Sequence, residues 1–270
     1  MADNLQLVVT KADGTVVTIT GTLTATITEA APAALPPPPP PAPAFGLVLL
    51  PAGITPTIVE LDALKTWAGE WDNATSGSAT GATSYPVTIG GRTARAFPSD
   101  YKKNGGMRYH VQYAIDSKAQ HFIYAGDLWI EDPTQIAQME LDNNQVDVAQ
   151  KVYIYGVQAN KNSGKWDITK QDTACHWIPS PAKADPTLWP ANKWLHFEIA
   201  SHRDDAGNIT YDAVHLDGVT QLINQTLPSA RKILPVWGMG HLLVNLQLGG
   251  ASNVGGSIRV YGNGLKVARW

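Results

Sequence analysis

The stretch "WLHFEIASHRDDAGNITYDAVHLDG", residues 194 to 218, decides the fold class. Leu195, Phe197 and Ile199 alternate with His196 and Glu198, and His202 lies further along on the polar side. A period of two is the mark of a strand with one apolar and one polar face. "DDAGN" (204–208) then breaks the run, "ITYDAVHLD" resumes it, and "LDGV" (216–219) turns again.

The same pattern recurs from about residue 45 to the end. "MRYHVQYAI", "HFIYAG", "AQMELD", "KVYIYGVQ", "HLLVNLQLG", "GSIRVYG" and "LKVARW" all read as strands. The only helix-like piece is "VELDALKTWAGEW", residues 59–71. Many short strands in one body imply an all-β, two-sheet sandwich or jelly roll.

The first residues are organised differently. In "TVVTITGTLTATIT", Val17, Ile19, Leu23, Ala25 and Ile27 fall on one side and Thr18, Thr20, Thr22, Thr24 and Thr26 on the other. "ADGT" (12–15) is a turn signal between this run and "LQLVVT", which predicts a hairpin with one apolar face. A lone hairpin is marginal in water and buries too little to stand alone. Val17, Ile19, Leu23 and Ile27 are therefore read as an assembly contact, with a partner protein or with copies of the same chain. "APAALPPPPPPAPA" (31–44) comes next, and consecutive prolines form a stiff extended spacer. The expected division is an anchor at 1–30, a proline-rich linker at 31–44 and a sandwich at 45–270.

Composition excludes several function classes. The formal net charge of −3 and a pI near 6.1 give no basic field to attract nucleic acid or an anionic membrane. Cys175 is the sole cysteine, so no intrachain disulfide can form. The opening "MADNLQLVVT" has no basic and apolar signal pattern, and "FGLVLLPAG" falls short of the roughly 20 residues a spanning helix needs. The expectation is a protein folded in the cytoplasm where it is made. No Gly-rich phosphate loop appears.

Residues 105–270, with "GKWDI", "NKWLHFEI" and a closing strand that ends in Trp270, resemble concanavalin A-like (laminin G-like, glucanase-like) jelly-roll domains of bacterial and phage-borne proteins. The resemblance implies a two-sheet antiparallel jelly-roll sandwich, preceded here by the small β-hairpin anchor and the polyproline linker. That fold family holds lectins, laminarinases, lyases and structural modules, so the fold does not settle the function.

Glucanases of this fold carry Glu-x-Asp-x-Glu or Glu-x-Asp-x-x-Glu on one strand, the first Glu as nucleophile and the last as general acid. In "QMELDNNQ" (138–145), Glu140 and Asp142 match the first two positions and share one strand face. The last position is Asn144 or Gln145, and an amide cannot act as a tuned proton donor. No catalytic residue is assigned, and the chain is expected not to be an enzyme.

Polar faces elsewhere suggest a binding surface. Arg108 and His110 oppose Tyr109, Val111, Tyr113 and Ile115, while Asn245 and Gln247 oppose Val244 and Leu246. On one sheet, Arg108, His110, Glu140, Asp142, Asn245 and Gln247 would converge; on separate sheets they would be wet outer faces. Trp129 and Trp166 are candidate platforms for stacking on sugar rings. The histidines are scattered without metal-ligand spacing and no EF-hand pattern appears, so no metal site or cofactor is assigned. A structural Ca²⁺ is the one ion the Asp- and Asn-bearing loops suit.

These readings combine into one expectation. The chain is a non-catalytic decoration protein of a larger assembly, a bacteriophage virion. Its hairpin docks on a capsid or tail protein, and its jelly roll faces outward from the virion surface to bind glycans. The alternative is a polysaccharide-active enzyme, either a lyase with a Tyr or His base or a glucanase-like hydrolase. A third reading is a module whose face binds nothing.

Overall fold

The computed structural model describes residues 5–10, 16–21, 46–73, 75–149, 151–172, 174–228, 230–232 and 240–270, with backbone only in 5–10, 16–21 and 230–232. By contact the chain divides into two units, Met1–Pro41 and Ala42–Trp270. In the first unit, β1 (Leu5–Thr10) pairs antiparallel with β2 (Val16–Gly21), in the register Leu7 opposite Ile19 and Val9 opposite Val17. These are the two strands expected of the hairpin. Its turn, Leu23, Ile27 and the proline run lie outside the described residues.

The second unit is a sandwich of two nine-stranded antiparallel sheets. The first sheet runs β14 (Cys175–Lys183), β13 (Lys165–Gln171), β12 (Val157–Asn160), β10 (Ile136–Val146), β19 (His241–Gly250), β8 (Gly106–Ile115) and β4 (Ala68–Trp71). In the same sheet β11 (Lys151–Tyr155) pairs with β10 and with β18 (Ala230–Lys232). The second sheet runs β17 (Val219–Pro228), β16 (Asn208–Leu216), β15 (Trp194–Arg203), β9 (His121–Ile130), β20 (Gly256–Arg269), β7 (Arg92–Lys102) and β5 (Ser78–Thr80). There β3 (Thr57–Glu60) pairs with β20, and β6 (Ser84–Ile89) pairs with β7. The all-β class and the two-sheet jelly-roll sandwich are as the sequence implied.

The alternating strands explain why this folds. Leu195, Phe197 and Ile199 of β15 and Ile209, Tyr211 and Val214 of β16 all enter the core between the sheets. From the first sheet Tyr109, Val111, Met139, Leu141, Val244 and Leu246 meet them. Each buried aliphatic or aromatic side chain contributes about 1.5–3 kcal/mol.

A smaller apolar cluster lies on the other side of the second sheet. Leu47 packs there on Ile123, Ala125 and Ala268, with Leu49, Leu50, Ile58, Ala200 and Trp270 around it. Ile123 and Ala125 alternate along β9 with the core residues Phe122 and Tyr124, so this cluster is on the outer face. Leu47, Leu49 and Leu50 therefore pack on the outer face of the second sheet.

One open reading closes and one expectation is corrected. Residues 59–71, helix-like in sequence, form no helix: β3 and β4 lie at their ends and turns lie between. Arg95 explains the difference, because its guanidinium donates to the carbonyls of Asp62 (2.9 Å) and Leu64 (2.8 Å), and the Trp67 indole donates to Leu61 O (2.9 Å). Those carbonyls are thereby satisfied outside any helical ladder. Ile115 does not share the apolar face of Tyr109 and Val111 but is 73 % exposed. The register against β19 shifts between Gln112 and Ala114, and the extra residue there re-aims the end of β8.

Candidate functional site

β10, β19 and β8 lie side by side, and their register sets residues in rows across the sheet. One row is Glu140, Gln247 and Arg108; the next is Asp142, Asn245 and His110. Residues directly opposite on neighbouring strands share a face, so the six polar residues gather on the outer face of the first sheet. Their strand neighbours Leu141, Leu246 and Tyr109 fill the core behind them.

Five of the six line a groove of about 760 Å³, together with Asn144 and Gln158. His110 stands outside that lining; its ring lies 3.8 Å from Glu70, and burial holds its pKa below the usual histidine value. Arg108 is engaged from the edge strand, with Nε and Nη2 donating to Glu70 Oε1 at 3.0 and 2.5 Å. Lys161, on the turn after β12, brings a second cation to the lining.

The carboxylates are strongly perturbed. Glu140 and Asp142 hydrogen-bond to each other. Burial raises the pKa of Glu140 well above the glutamate range, and the neighbouring charge of Asp142 raises it further. Burial also lifts Asp142, to about 6, against hydrogen bonds from Glu140, from the Val157 amide (3.1 Å) and from Asn245. The two carboxyls therefore titrate as one coupled pair, both raised and Glu140 the more strongly. Such a pair can donate and accept hydrogen bonds at the groove floor.

A raised carboxylate pKa has a defined sign in stability. The contribution is fully present below the unfolded value near 3.8 and is lost as pH rises through about 6. Asp142→Asn should therefore raise the melting temperature at pH 7 by a few degrees, on the order of 1 kcal/mol, and flatten its fall between pH 4 and 7. Melting curves across that range check this; an unchanged or lower melting temperature at pH 7 would contradict the burial of an ionised Asp142.

The third position of the glucanase-like pattern is resolved by geometry. β10 pairs with β19 in unbroken register from Gln138 to Gln145, so the alternation holds and Asn144 joins Glu140 and Asp142 on the groove face. Gln145 points the other way, where its amide donates to Asp116 O and Ala119 O and accepts from Arg203. An amide, not an acid, stands third. Asn144 is fully buried, and neither amide atom has a partner among the described residues.

The two tryptophans named from sequence are elsewhere. Trp166 is 1 % exposed in the core, because Ala159, directly opposite it on β12, faces inward. Trp129 is on β9 of the second sheet, tucked under the turn at Gly90, where an added Cβ would lie 2.3 Å from its ring. Neither reaches the groove. The aromatic residue that does is Trp177 on β14, half-buried beside Cys175, Thr169 and Ile154. Its one signal in sequence is the alternation of Cys175 and Trp177 on a strand whose "CHWIP" reads ambiguously. Gln158, Lys161 and Asp72 also line the groove without a sequence signal, since each sits at a strand end or turn with no pattern of its own.

His196, Glu198 and His202 form a polar stripe on the outer face of the second sheet, away from the groove. His196 bridges Asp127 (Nδ1, 2.8 Å) and Glu198 (Nε2, 3.0 Å), and these two carboxylates raise its pKa to about 9. Among the described residues no group of three or more His, Cys, Asp or Glu is placed to hold a metal ion, and no helix is long and apolar enough to cross a membrane.

No protein-family model matches the chain, and no curated protein matches it. Solved structures do align. An alginate lyase from Chlorella virus aligns at 12 % identity and a TM-score of 0.43, over 76 % of this chain and 93 % of that one. A β-glucanase from Bacillus licheniformis aligns at 10 % identity and a TM-score of 0.38, over 80 % and 98 %. A family 11 carbohydrate-binding module from Clostridium thermocellum, in complex with a β-1,3-1,4-mixed-linked tetrasaccharide, aligns at 10 % identity and 0.36, over 78 % and 94 %.

Proposed function

We propose that the sandwich is a non-catalytic glycan-binding body carried on a larger assembly, and that this assembly is a bacteriophage virion. The observation that carries the binding half is the groove itself. Its floor presents amides from Gln158, Asn245 and Gln247 beside a hydrogen-bonded carboxyl pair. Alternating donors and acceptors in a groove suit the hydroxyls of a sugar chain.

The assembly half rests on layout: a hairpin with an apolar face, a proline run, then an independent body. The groove opens on the outer face of the first sheet. Deleting residues 1–44 is expected to leave a soluble, folded sandwich that no longer joins the particle. Ile19→Asp should reproduce the loss, because an unpaired charge would be buried at the contact. Solution mass and incorporation into particles measure both; a truncated protein that still assembles, or unfolds, refutes the anchor.

The enzymatic alternative has one observation in its favour, the perturbed Glu140–Asp142 pair. Two features oppose it. Asn144 stands where an acid is needed. The described groove lining has no Tyr or His to serve a lyase as base. A glycan array, with release of reducing or unsaturated sugars from β-glucans and uronates, tests the choice. Binding without turnover is expected. Turnover by the unmodified protein overturns the non-catalytic reading, and neither binding nor turnover leaves a purely structural module.

A further inference from the structure

Asn144 is the least explained residue of the groove. A buried amide with no partner costs about 1–3 kcal/mol, and Asn144 leaves both its donor and its acceptor unmet at 0 % exposure. Its surroundings are specific. Ile154 lies opposite it on β11, Asp142 precedes it on the same face, and Trp177 and Cys175 line the same groove. An aromatic wall, an apolar flank, an unspent amide and an acceptor carboxylate together match one pyranose ring: stacking on its face, hydrogen bonds to adjacent hydroxyls.

We infer that the Trp177–Asn144–Asp142 end of the groove is a subsite for a single uncharged pyranose of a glycan, with Asn144 bridging two neighbouring hydroxyls. This rests on the glycan-binding reading above and adds the residues and the ligand class. The uncharged class is a matter of electrostatics. Asp72, Glu140 and Asp142 line the groove against two cations, and one of these, Arg108, is already engaged by Glu70. An acidic sugar would bring its charge against these acids.

The full chain is titrated with neutral cello-, laminari-, manno- and galacto-oligosaccharides, and with alginate oligosaccharides as the acidic probe. At least one neutral series should bind and alginate should not. Asn144→Leu and Trp177→Ala should each weaken that binding tenfold or more, and Trp177→Phe, which keeps a ring, should retain much of it. Asn144→Leu, close to isosteric, should also raise the melting temperature, because it removes an unmet amide; a purely structural Asn144 would move it downward. Wild-type binding that Asn144→Leu leaves within twofold, or a lower melting temperature for that variant, overturns the subsite while leaving the glycan-binding reading intact. Tighter binding of alginate than of every neutral probe overturns the ligand class. Absence of binding to any probe overturns the subsite and the reading beneath it together.

Discussion

Trp166→Ala is expected to lower the stability of the sandwich by about 3–5 kcal/mol, the cost of emptying a buried aromatic site. For a body of this size that is a fall in melting temperature of roughly 10 °C. Trp166 is among the largest fully buried side chains, with its ring 5.9 Å from that of Trp189. It hangs from β13 into the core, where the sheets cannot close over the space it leaves. Its indole nitrogen has no partner among the described residues, so Trp166→Phe should cost much less than the alanine change. A sugar platform behaves in the opposite way: its removal abolishes binding and moves stability within about 0.5 kcal/mol. Thermal or urea unfolding of both variants separates the two. A Trp166→Ala protein that melts within two degrees of the parent would show that the ring is not core.

Alternation is legible in the sequence because it is a local consequence of the pleat. Leu195, Phe197 and Ile199 have to face one way and His196 and Glu198 the other, whatever the sheet order. The convergence of Arg108, Glu140, Asp142, Asn245 and Gln247 is legible only conditionally. It requires β10, β19 and β8 to be neighbours, and β19 lies about a hundred residues from β10 in the chain. Pairing of that range leaves no local trace. The tryptophans show the limit more sharply. Trp129, Trp166 and Trp177 are chemically identical, and each lies on a strand whose neighbours do not say which sheet it joins. Depth is equally hidden: nothing in "QMELDNNQ" tells a solvated strand face from a buried one, yet Asp142 and Asn144 are buried at the groove floor.

Glu198 gives the second large effect, and it concerns how the chain is fastened to the sandwich. Its carboxylate is fully buried on the outer face of the second sheet. It accepts from the amides of Val48 (2.6 Å) and Leu49 (2.7 Å), and from His196 at 3.0 Å. Burial alone would raise its pKa, but His196 and the two amides together hold it below the usual glutamate value. Glu198→Ala leaves two amides unmet and His196 with one carboxylate fewer, so a loss of about 3 kcal/mol is expected. The loss should be local first, because Leu47 is held to the sheet by its own apolar cluster and by this clip. Cleavage by protease near residues 46–50 should therefore appear before global unfolding, and deletion of the segment should not rescue stability. The pH dependence has opposite signs at the two ends. The lowered pKa of Glu198 gives stability that is present above its unfolded value near 4.5 and lost as pH falls through the folded one. The raised pKa of His196 gives stability that is full below about 6.5 and lost as pH rises through about 9. Amide exchange at Val48 and Leu49 should thus be slowest between these limits and quicken toward either. Equal exchange at pH 7 and pH 10, after correction for the intrinsic rate, would show that His196 does not hold the clip.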